Sequence, residues 1–302
     1  MAYEDFLEEF ARLEGFADAR SLLAKHEGRY AFQVDSRNRA RQMIEDFERK
    51  LGYDFNGKKV LDVGCAYGSF AIELAKKGAR AIGVDVSDKW LMLADLNAYR
   101  EVEVPFLHLD ASAREAHERL SPHGPFDFII LNDVLEHIYD TDGLLHNLSR
   151  LLAEDGLIYY KVPNGLHPRN VLREGHRKVF GLSLLPPDYW HWFTEAPFHI
   201  YYRRWGHYRA LLDHHGLHGH VSWDENHDRD IEQTRRHILN DLEKIKDMLQ
   251  VSNFASPEHF SVLRRACEYY FREVERDLEN MGWKELHHKY RITFWKGVIS
   301  RG

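Results

Sequence analysis

The residues best suited to chemistry stand where short apolar runs stop. Val60-Leu61-Asp62-Val63 runs into Gly64-Cys65-Ala66-Tyr67-Gly68, a turn with glycine at both ends. Glycine there permits backbone angles and close approaches that a Cβ would block. A second apolar run, Ala79–Asp85, closes on an aspartate seventeen residues after Gly68, with Val86 next in line. A carboxylate at such an end is placed to accept two hydrogen bonds from a ribose diol. A third run ends in Asp110 beside Ala111, and a fourth, entirely apolar until its last residue, in Asn132-Asp133. Each feature has an ordinary explanation when taken singly. A glycine turn is common, and Asp110 could simply cap a helix starting near Ser112. Their recurrence at four successive run ends points to a single nucleoside-like ligand.

Those residues need a scaffold that brings the run ends together. Lys59–Val63, Ala79–Asp85, Pro105–Asp110, Phe126–Asn132 and Leu157–Val162 read as strands. Ser69–Lys77, Lys89–Arg100 and Thr141–Leu152 read as helices between them. Alternating strands and helices predict a parallel sheet covered on both faces, and runs such as VLDV and FDFIIL suit strands buried on both sides. The predicted fold class is α/β: a Rossmann-like, doubly wound, mostly parallel seven-stranded sheet with helices on both faces. In such sheets ligands bind in the crevice outside the carboxyl ends of the strands.

The rest of the chain elaborates that core. Residues 1–56 form an N-terminal helical segment, and 57–224 the ligand-binding core. Within the core, residues 163–200 form a loop-rich insertion with five prolines and the cluster Tyr189-Trp190-His191-Trp192-Phe193. Arg204–His214 resumes a helix and Leu217–Trp223 a strand. Residues 225–302 form a helical cap, all-helical over 229–288, with a possible final strand at Ile292–Ser300. The cap is a candidate for a lid or an oligomer contact.

Bulk properties narrow the class. Lys and Arg total 41 against 48 Asp and Glu, a formal charge of −7, which gives no general attraction to nucleic acid or an anionic membrane. The two cysteines, Cys65 and Cys267, make no disulfide framework, and a cytoplasmic location is expected. The acidic N-terminal stretch lacks the order of a signal peptide, and no apolar run approaches the roughly 18 residues of a membrane span.

The stretches VLDVGCAYGSF, AIGVDVS, HLDA, FDFIILNDVLEHI and LLAEDGLIYYKVPN resemble the class I S-adenosylmethionine-dependent methyltransferases. They are most similar to the broad small-molecule group that includes the ubiquinone-biosynthesis O-methyltransferases. The resemblance covers about residues 57–224. It implies S-adenosyl-L-methionine as cofactor, with Asp62, Gly64, Ala66 and Gly68 around the methionine part and Cys65 as another cofactor contact in the same loop. Asp85 would then hold the ribose hydroxyls, Asp110 and Ala111 would face the adenine, and Asn132 and Asp133 would lie near the sulfonium and amino group, with Val86 a further cofactor contact. Ala66 stands where many members have glycine, and Tyr67 is bulky for its position. A nicotinamide site instead wants Gly-x-Gly-x-x-Gly, whose glycines admit a pyrophosphate. This loop keeps only the outer pair, and acidic run ends suit a sulfonium cation better than a phosphate.

The expected reaction is methyl transfer to a small-molecule acceptor, with oxygen favoured over nitrogen or carbon. An oxygen acceptor must lose a proton, and histidine is the usual base. His137, just past the fourth strand, and His191 and His199, in the insertion, are the candidates among 20 histidines. Asp133, Glu136 and His137 also form a D-x-x-E-H group similar to the metal-binding E-x-x-E-H of small-RNA 2′-O-methyltransferases. A helix would bring these three to one face, and a later histidine such as His167 could complete a site. The reading adopted is that no metal is bound. A metal-dependent RNA methyltransferase and a non-catalytic cofactor-binding protein are the alternatives.

Overall fold

The computed structural model describes residues 2–194, 200–219, 230–252 and 256–301. The elements run α1 (Ala2–Leu13), α2 (Ala19–Val34), α3 (Ser36–Leu51), β1 (Lys59–Val63), α4 (Ser69–Lys76), β2 (Arg80–Asp85), α5 (Asp88–Ala98), β3 (Phe106–His108), α6 (Ala116–Leu120) and β4 (Phe126–Asn132). They continue with α7 (Thr141–Leu151), β5 (Leu152–Pro163), α8 (Pro168–Leu172), α9 (Trp205–His214), β6 (Leu217–Gly219), α10 (Ile231–Val251), α11 (Pro257–Asn280), α12 (Trp283–Tyr290) and β7 (Phe294–Arg301). The seven strands form one sheet in the order β3-β2-β1-β4-β5-β7-β6, in which β7 alone runs antiparallel to its neighbours. The doubly wound sheet and the final strand follow the sequence expectation. Of the strand expected at Leu217–Trp223, only Leu217–Gly219 falls among the described residues.

Period-two alternation along the strands divides their side chains between two cores. Leu61, Val63, Ile129, Leu131, Ile158 and Tyr160 pack with α6, α7 and α9 on one face. Val60, Phe128, Ile130 and Tyr159 pack with Ile44 and Phe47 of α3 and Ala71 and Leu74 of α4 on the other. Such two-sided burial is why these strands read as continuous apolar runs. A third core joins the insertion to the cap. Leu166, Val171, Leu182 and Trp190 pack against Ile238 and Leu242 of α10, Leu263 and Tyr270 of α11, and Leu286 of α12. A fourth, small one sets Phe6 and Phe10 of α1 and Leu22 of α2 on Leu93 of α5. No helix among the described residues is long and apolar enough to cross a membrane.

Phe128 is the hub of the second core. Its ring lies 5.4 Å from Phe47, 5.3 Å from Tyr53 and 5.1 Å from Phe55, and it is fully buried. Phe128→Ala is expected to destabilise the fold by about 3–5 kcal/mol, the usual range for emptying an aromatic site in a core. Urea unfolding would measure it, and a loss below about 1 kcal/mol would mean that the sheet does not pivot on this residue.

Candidate functional site

Register fixes which run ends meet. β1 pairs in parallel with β2, Val63 opposite Val84, and with β4, Asp62 opposite Ile130. The carboxyl ends of β1, β2 and β4 therefore lie at one edge. Beyond β1 the chain turns sharply. Cys65 N–H donates to the Val84 carbonyl (3.0 Å) and Ala66 N–H to Asp85 Oδ2 (2.9 Å), while Ser87 N–H donates to Asp85 Oδ1 (3.0 Å). Asp85 is thus tied to the glycine loop from the neighbouring strand. β3 adds the next position, since Asp85 pairs with His108 and Leu109 N–H donates to the Asp85 carbonyl.

The turn is left-handed at Gly64 (φ +64°) and Gly68 (φ +71°). A Cβ on Gly68 would stand 2.5 Å from the Phe106 ring, and one on Gly64 would stand 2.8 Å from Val134. Ala66 (φ +46°) and Asp133 (φ +57°) also adopt this region, which disfavours a side chain. Strained backbone at two adjoining strand ends is what a functional edge tends to store.

Between these ends lies a cavity of about 220 Å³, walled by Asp62, Gly64, Cys65, Ala66, Asn132 and Asp133 from the sheet edge. Its far wall is α3, through Ser36, Arg39, Ala40 and Met43. One helix face carries all four, because their spacings are three and four residues. Arg37 and Arg41 point the other way. Arg37 forks onto both oxygens of Glu101 (2.9 Å each) and bonds Glu73 (2.9 Å), and Arg41 reaches Glu73 at 3.2 Å. Glu101 is held down to about 2, first by the Arg37 hydrogen bonds. Ser36 and Ser69 hydroxyls bond at 3.0 Å. The helix that opens from the glycine loop therefore holds α3 against the cavity.

The electrostatics of the cavity are lopsided. Asp62 is 3% exposed and its Oδ2 has no donor. Burial, aided by the Asp85 charge and opposed by the Ala71 N–H, pushes it up to about 8. Asn132 Oδ1 and Asp133 Oδ1 are likewise buried without a donor among the described residues. Asp133 Oδ2 takes Lys161 Nζ at 2.7 Å and Asn132 Nδ2 at 3.2 Å. Burial also raises Asp85, against the backbone N–H groups it accepts. Arg39 is half-buried and lowered, mainly by desolvation. Three donorless acceptor oxygens, with an arginine across from them, fit a ligand that brings N–H donors and positive charge at one end and an anion at the other.

The remaining cofactor candidates fall at the edge next to this cavity. Val86 is 62% exposed beyond Asp85. Asp110 is exposed, and its Oδ1 accepts Ser112 N–H (2.8 Å) and Oγ (2.7 Å), so it does cap the following turn while keeping its second oxygen. Ala111 is buried, its carbonyl accepting Asn147 Nδ2 at 3.0 Å. Cys65 is packed over Gly83, where an added Cβ would meet its Sγ at 2.8 Å, and burial pushes its thiol up. Tyr67 turns its ring toward Phe6 (5.6 Å) and Trp90 (5.8 Å), which carries α1 onto the loop.

Past Asp133 the chain makes a 3₁₀ turn, Leu135–His137, instead of the α-helical turn the D-x-x-E-H spacing suggested. Glu136 is 1% exposed with Oε2 donorless, and burial plus the Asp133 charge raise it well above the carboxylate range. His137 Nε2 lies 3.9 Å from Glu136 Oε1, and its ring meets His176 edge-on at 5.2 Å. One polar atom from each of Glu136, His137 and His176 falls within 4.8 Å of the others. His167 does not join them. It caps α8, its Nδ1 accepting Arg169 N–H, and its Nε2 faces Thr293 Oγ1. His191 is exposed and its ring partner is Trp192, whose face stacks on His259 at 4.4 Å. Its short 3₁₀ helix presents Trp190, not His191, to the core. His199 lies outside the described residues.

Sequence reading missed Ser36, Arg39 and Met43, though the arginines at 37, 39 and 41 are a usable signal. On a helix, positions 37 and 41 share a face and 39 opposes them. It also missed Glu174 and His176, which sit in the irregular insertion where no period organises the residues.

A family model described as a methyltransferase domain matches residues 36–221. A ubiquinone biosynthesis O-methyltransferase of Pectobacterium carotovorum is 28% identical over 52% of this chain and 70% of its own. The enzyme of that name from Paracidovorax citrulli is 33% identical over 44% and 51% respectively. The matched stretch spans about half the length of most such relatives. Among solved structures, an S-adenosylmethionine-dependent methyltransferase from Mesorhizobium loti is 17% identical, covers 84% of this chain and 95% of its own, and gives a TM-score of 0.49.

Asp62 and Glu136 tie stability to pH. Both hold their proton more tightly folded than unfolded, so their contribution is complete below the ordinary carboxylate pKa. It is lost as pH rises through the folded value, about 8 for Asp62. Unliganded protein should therefore weaken between about pH 5 and about pH 8, by at most about 1.4 kcal/mol per pH unit for each group. Asp62→Asn should flatten part of that slope in urea titrations, and an unchanged slope would show that Asp62 is ionised in the empty site.

Proposed function

Because the chain belongs to the methyltransferase-domain family, and within it to the class I S-adenosylmethionine-dependent enzymes, we propose that it methylates an oxygen of a small-molecule acceptor. The observation that carries the cofactor half is the trio of buried acceptor oxygens on Asp62, Asn132 and Asp133 that have no donor among the described residues. S-adenosylmethionine supplies a methyl group already activated by its sulfonium, together with an ammonium and a carboxylate. Those three oxygens would accept from the ammonium and face the positive charge, and Arg39 would take the carboxylate. Asp85, fixed by Ala66 and Ser87, keeps lone pairs for the ribose hydroxyls, and exposed Val86 offers an apolar face to the adenine. The protein's remaining task is to position the acceptor in a dry space.

The acceptor half is supported by the insertion and cap. Between them lies a cavity of about 540 Å³, walled in part by Leu185, Pro187, Tyr189, Tyr201, Tyr202 and Tyr270. Arg204, Arg265 and Glu273 line it too, so its size and lining suit a small aromatic molecule that also carries polar groups. Tyr201 N–H donates to the Glu136 carbonyl (2.7 Å), so this wall is tied to the turn just past Asp133. An oxygen acceptor is favoured because Glu136, His137 and His176 gather at the turn just past Asp133, to which the acceptor cavity's wall is tied, and the named relatives are called O-methyltransferases.

Isothermal titration with S-adenosylmethionine tests the cofactor half. Asp85→Ala is expected to weaken binding by about tenfold to a hundredfold, the loss of charge-assisted hydrogen bonds. Undiminished binding by that variant would refute the placement. Wild-type affinity should tighten as pH rises toward about 8, since the bound cation requires Asp62 ionised, and Asp62→Asn should bind more weakly with less pH dependence. Transfer of labelled methyl to simple catechols and phenols tests the acceptor half, and transfer only to amines or to RNA would overturn it.

A further inference from the structure

We propose that His176 is the catalytic base that takes the acceptor hydroxyl's proton, and that Glu174 is the positioning residue that sets its tautomer. This rests on the oxygen-methylation reading. Glu174 closes a tight loop, its N–H donating to the Val179 carbonyl and its carbonyl accepting Lys178 N–H at 2.9 Å. Its side chain is fully buried. The carboxylate accepts the His176 backbone N–H on both oxygens (2.9 and 2.8 Å), the Arg177 N–H, the Tyr202 hydroxyl and the His176 ring Nδ1 (2.9 Å). Burial alone would raise this group, but those donors outweigh it and hold it at about 2.

An ionised carboxylate only accepts hydrogen bonds, so the hydrogen between the pair belongs to Nδ1 and the lone pair of a neutral ring to Nε2. The ring is 29% accessible, so a ligand can reach it. It stands edge-on to His137, next to Glu136, which leads back along the chain to Asn132 and Asp133 at the first cavity. On its other side Tyr202 bonds the same carboxylate while walling the larger cavity. His176 is thus joined to the wall of the acceptor cavity through Glu174 and Tyr202, and to the turn just past the cofactor's cavity through His137 and Glu136. In the reaction the hydroxyl O–H bond breaks with its proton passing to Nε2, and an oxygen lone pair forms the new bond to the methyl carbon. The carbon–sulfur pair stays on sulfur as a neutral thioether, and His176 later gives the proton to water. Among the described residues, the charged and titratable groups near His176 include Glu174, Arg177, Glu136, His137, Tyr202 and, beyond Glu136, Asp133 with its partner Lys161.

The test compares two acceptors, an ordinary catechol and a nitrocatechol whose hydroxyl is already ionised near neutral pH. His176→Gln should lower kcat/KM for the catechol by about 10²–10⁴, the usual worth of a general base, with a much smaller loss for the nitrocatechol. Its affinity for S-adenosylmethionine should match the wild type. Glu174→Gln removes the anion that fixes the tautomer, so the ring proton should no longer be held on Nδ1, and kcat for the catechol should fall with KM little changed. Independently of any acceptor, ¹⁵N-histidine spectra should show one ring with its proton on Nδ1, absent in His176→Gln. Equal losses for the two acceptors, a His176 proton on Nε2, or activity abolished by a chelator would each overturn the proposal. Absent cofactor binding in the wild type would instead remove the reading beneath it.

Discussion

An acceptor oxygen shut away from water without a donor is the constraint around which this molecule is arranged. Each such group typically costs about 1–3 kcal/mol, and three of them, on Asp62, Asn132 and Asp133, share one edge of one sheet. They persist because the parallel ladders of β1 with β2 and β4 hold their backbones in place and two apolar cores bury the strands from both sides. The chain leaves β1 toward β2 and β3 in one direction and resumes at β4 and β5 in the other. The strand order therefore reverses between β1 and β4, and the crevice there is where such sheets receive ligands. A ligand carrying an ammonium and a sulfonium would supply the donors and the charge that the described residues leave unmet.

The same logic explains why the N-terminal helices belong to the site. Arg37 and Arg41 bind Glu73, while Arg39 shares the opposite face with Ser36, Ala40 and Met43. One face is anchored so that the other can form a wall. Glu73 sits on α4, which starts at Gly68, so the turn that cradles the ligand and the helix that covers it are mechanically joined. A buried ion pair of this kind contributes little net stability against apolar packing, and its value here is orientation.

The sheet, its order of elements and the edge residues were legible because burial on both faces enforces apolar runs, and the run ends announce themselves by Gly64, Gly68, Asp85 and Asn132-Asp133. What was not legible lacked a period. The turn Leu135–His137 follows a left-handed Asp133, so the helical spacing that paired Asp133 with Glu136 and His137 did not apply. His191 was singled out and His176 passed over, since nothing in sequence distinguishes an exposed ring from one held by a buried carboxylate. Arg39 was hidden by a different ambiguity. Three arginines in a row of alternate positions read as a solvated face until Glu73 and Glu101, distant in sequence, divide them.

The two halves of the site are built by different means, and this bears on how such a protein acquires a substrate. The cofactor half is made of strand ends, where register dictates position to a fraction of an ångström and few alternatives exist. The acceptor half is made of an insertion that packs with α10, α11 and α12 in a core of its own. Loops on a rigid scaffold can be remodelled without disturbing the sheet, which is why function follows sites more than folds. A base carried on that insertion can change together with the pocket it serves. His176 needs only Glu174 to orient it, and Glu174 draws its donors from its own loop and from Tyr202 at the pocket wall. On the proposed reading a residue of the acceptor cavity, Tyr202, would help to fix the proton acceptor, so the shape of the substrate's space and the chemistry done in it would be coupled through one buried carboxylate.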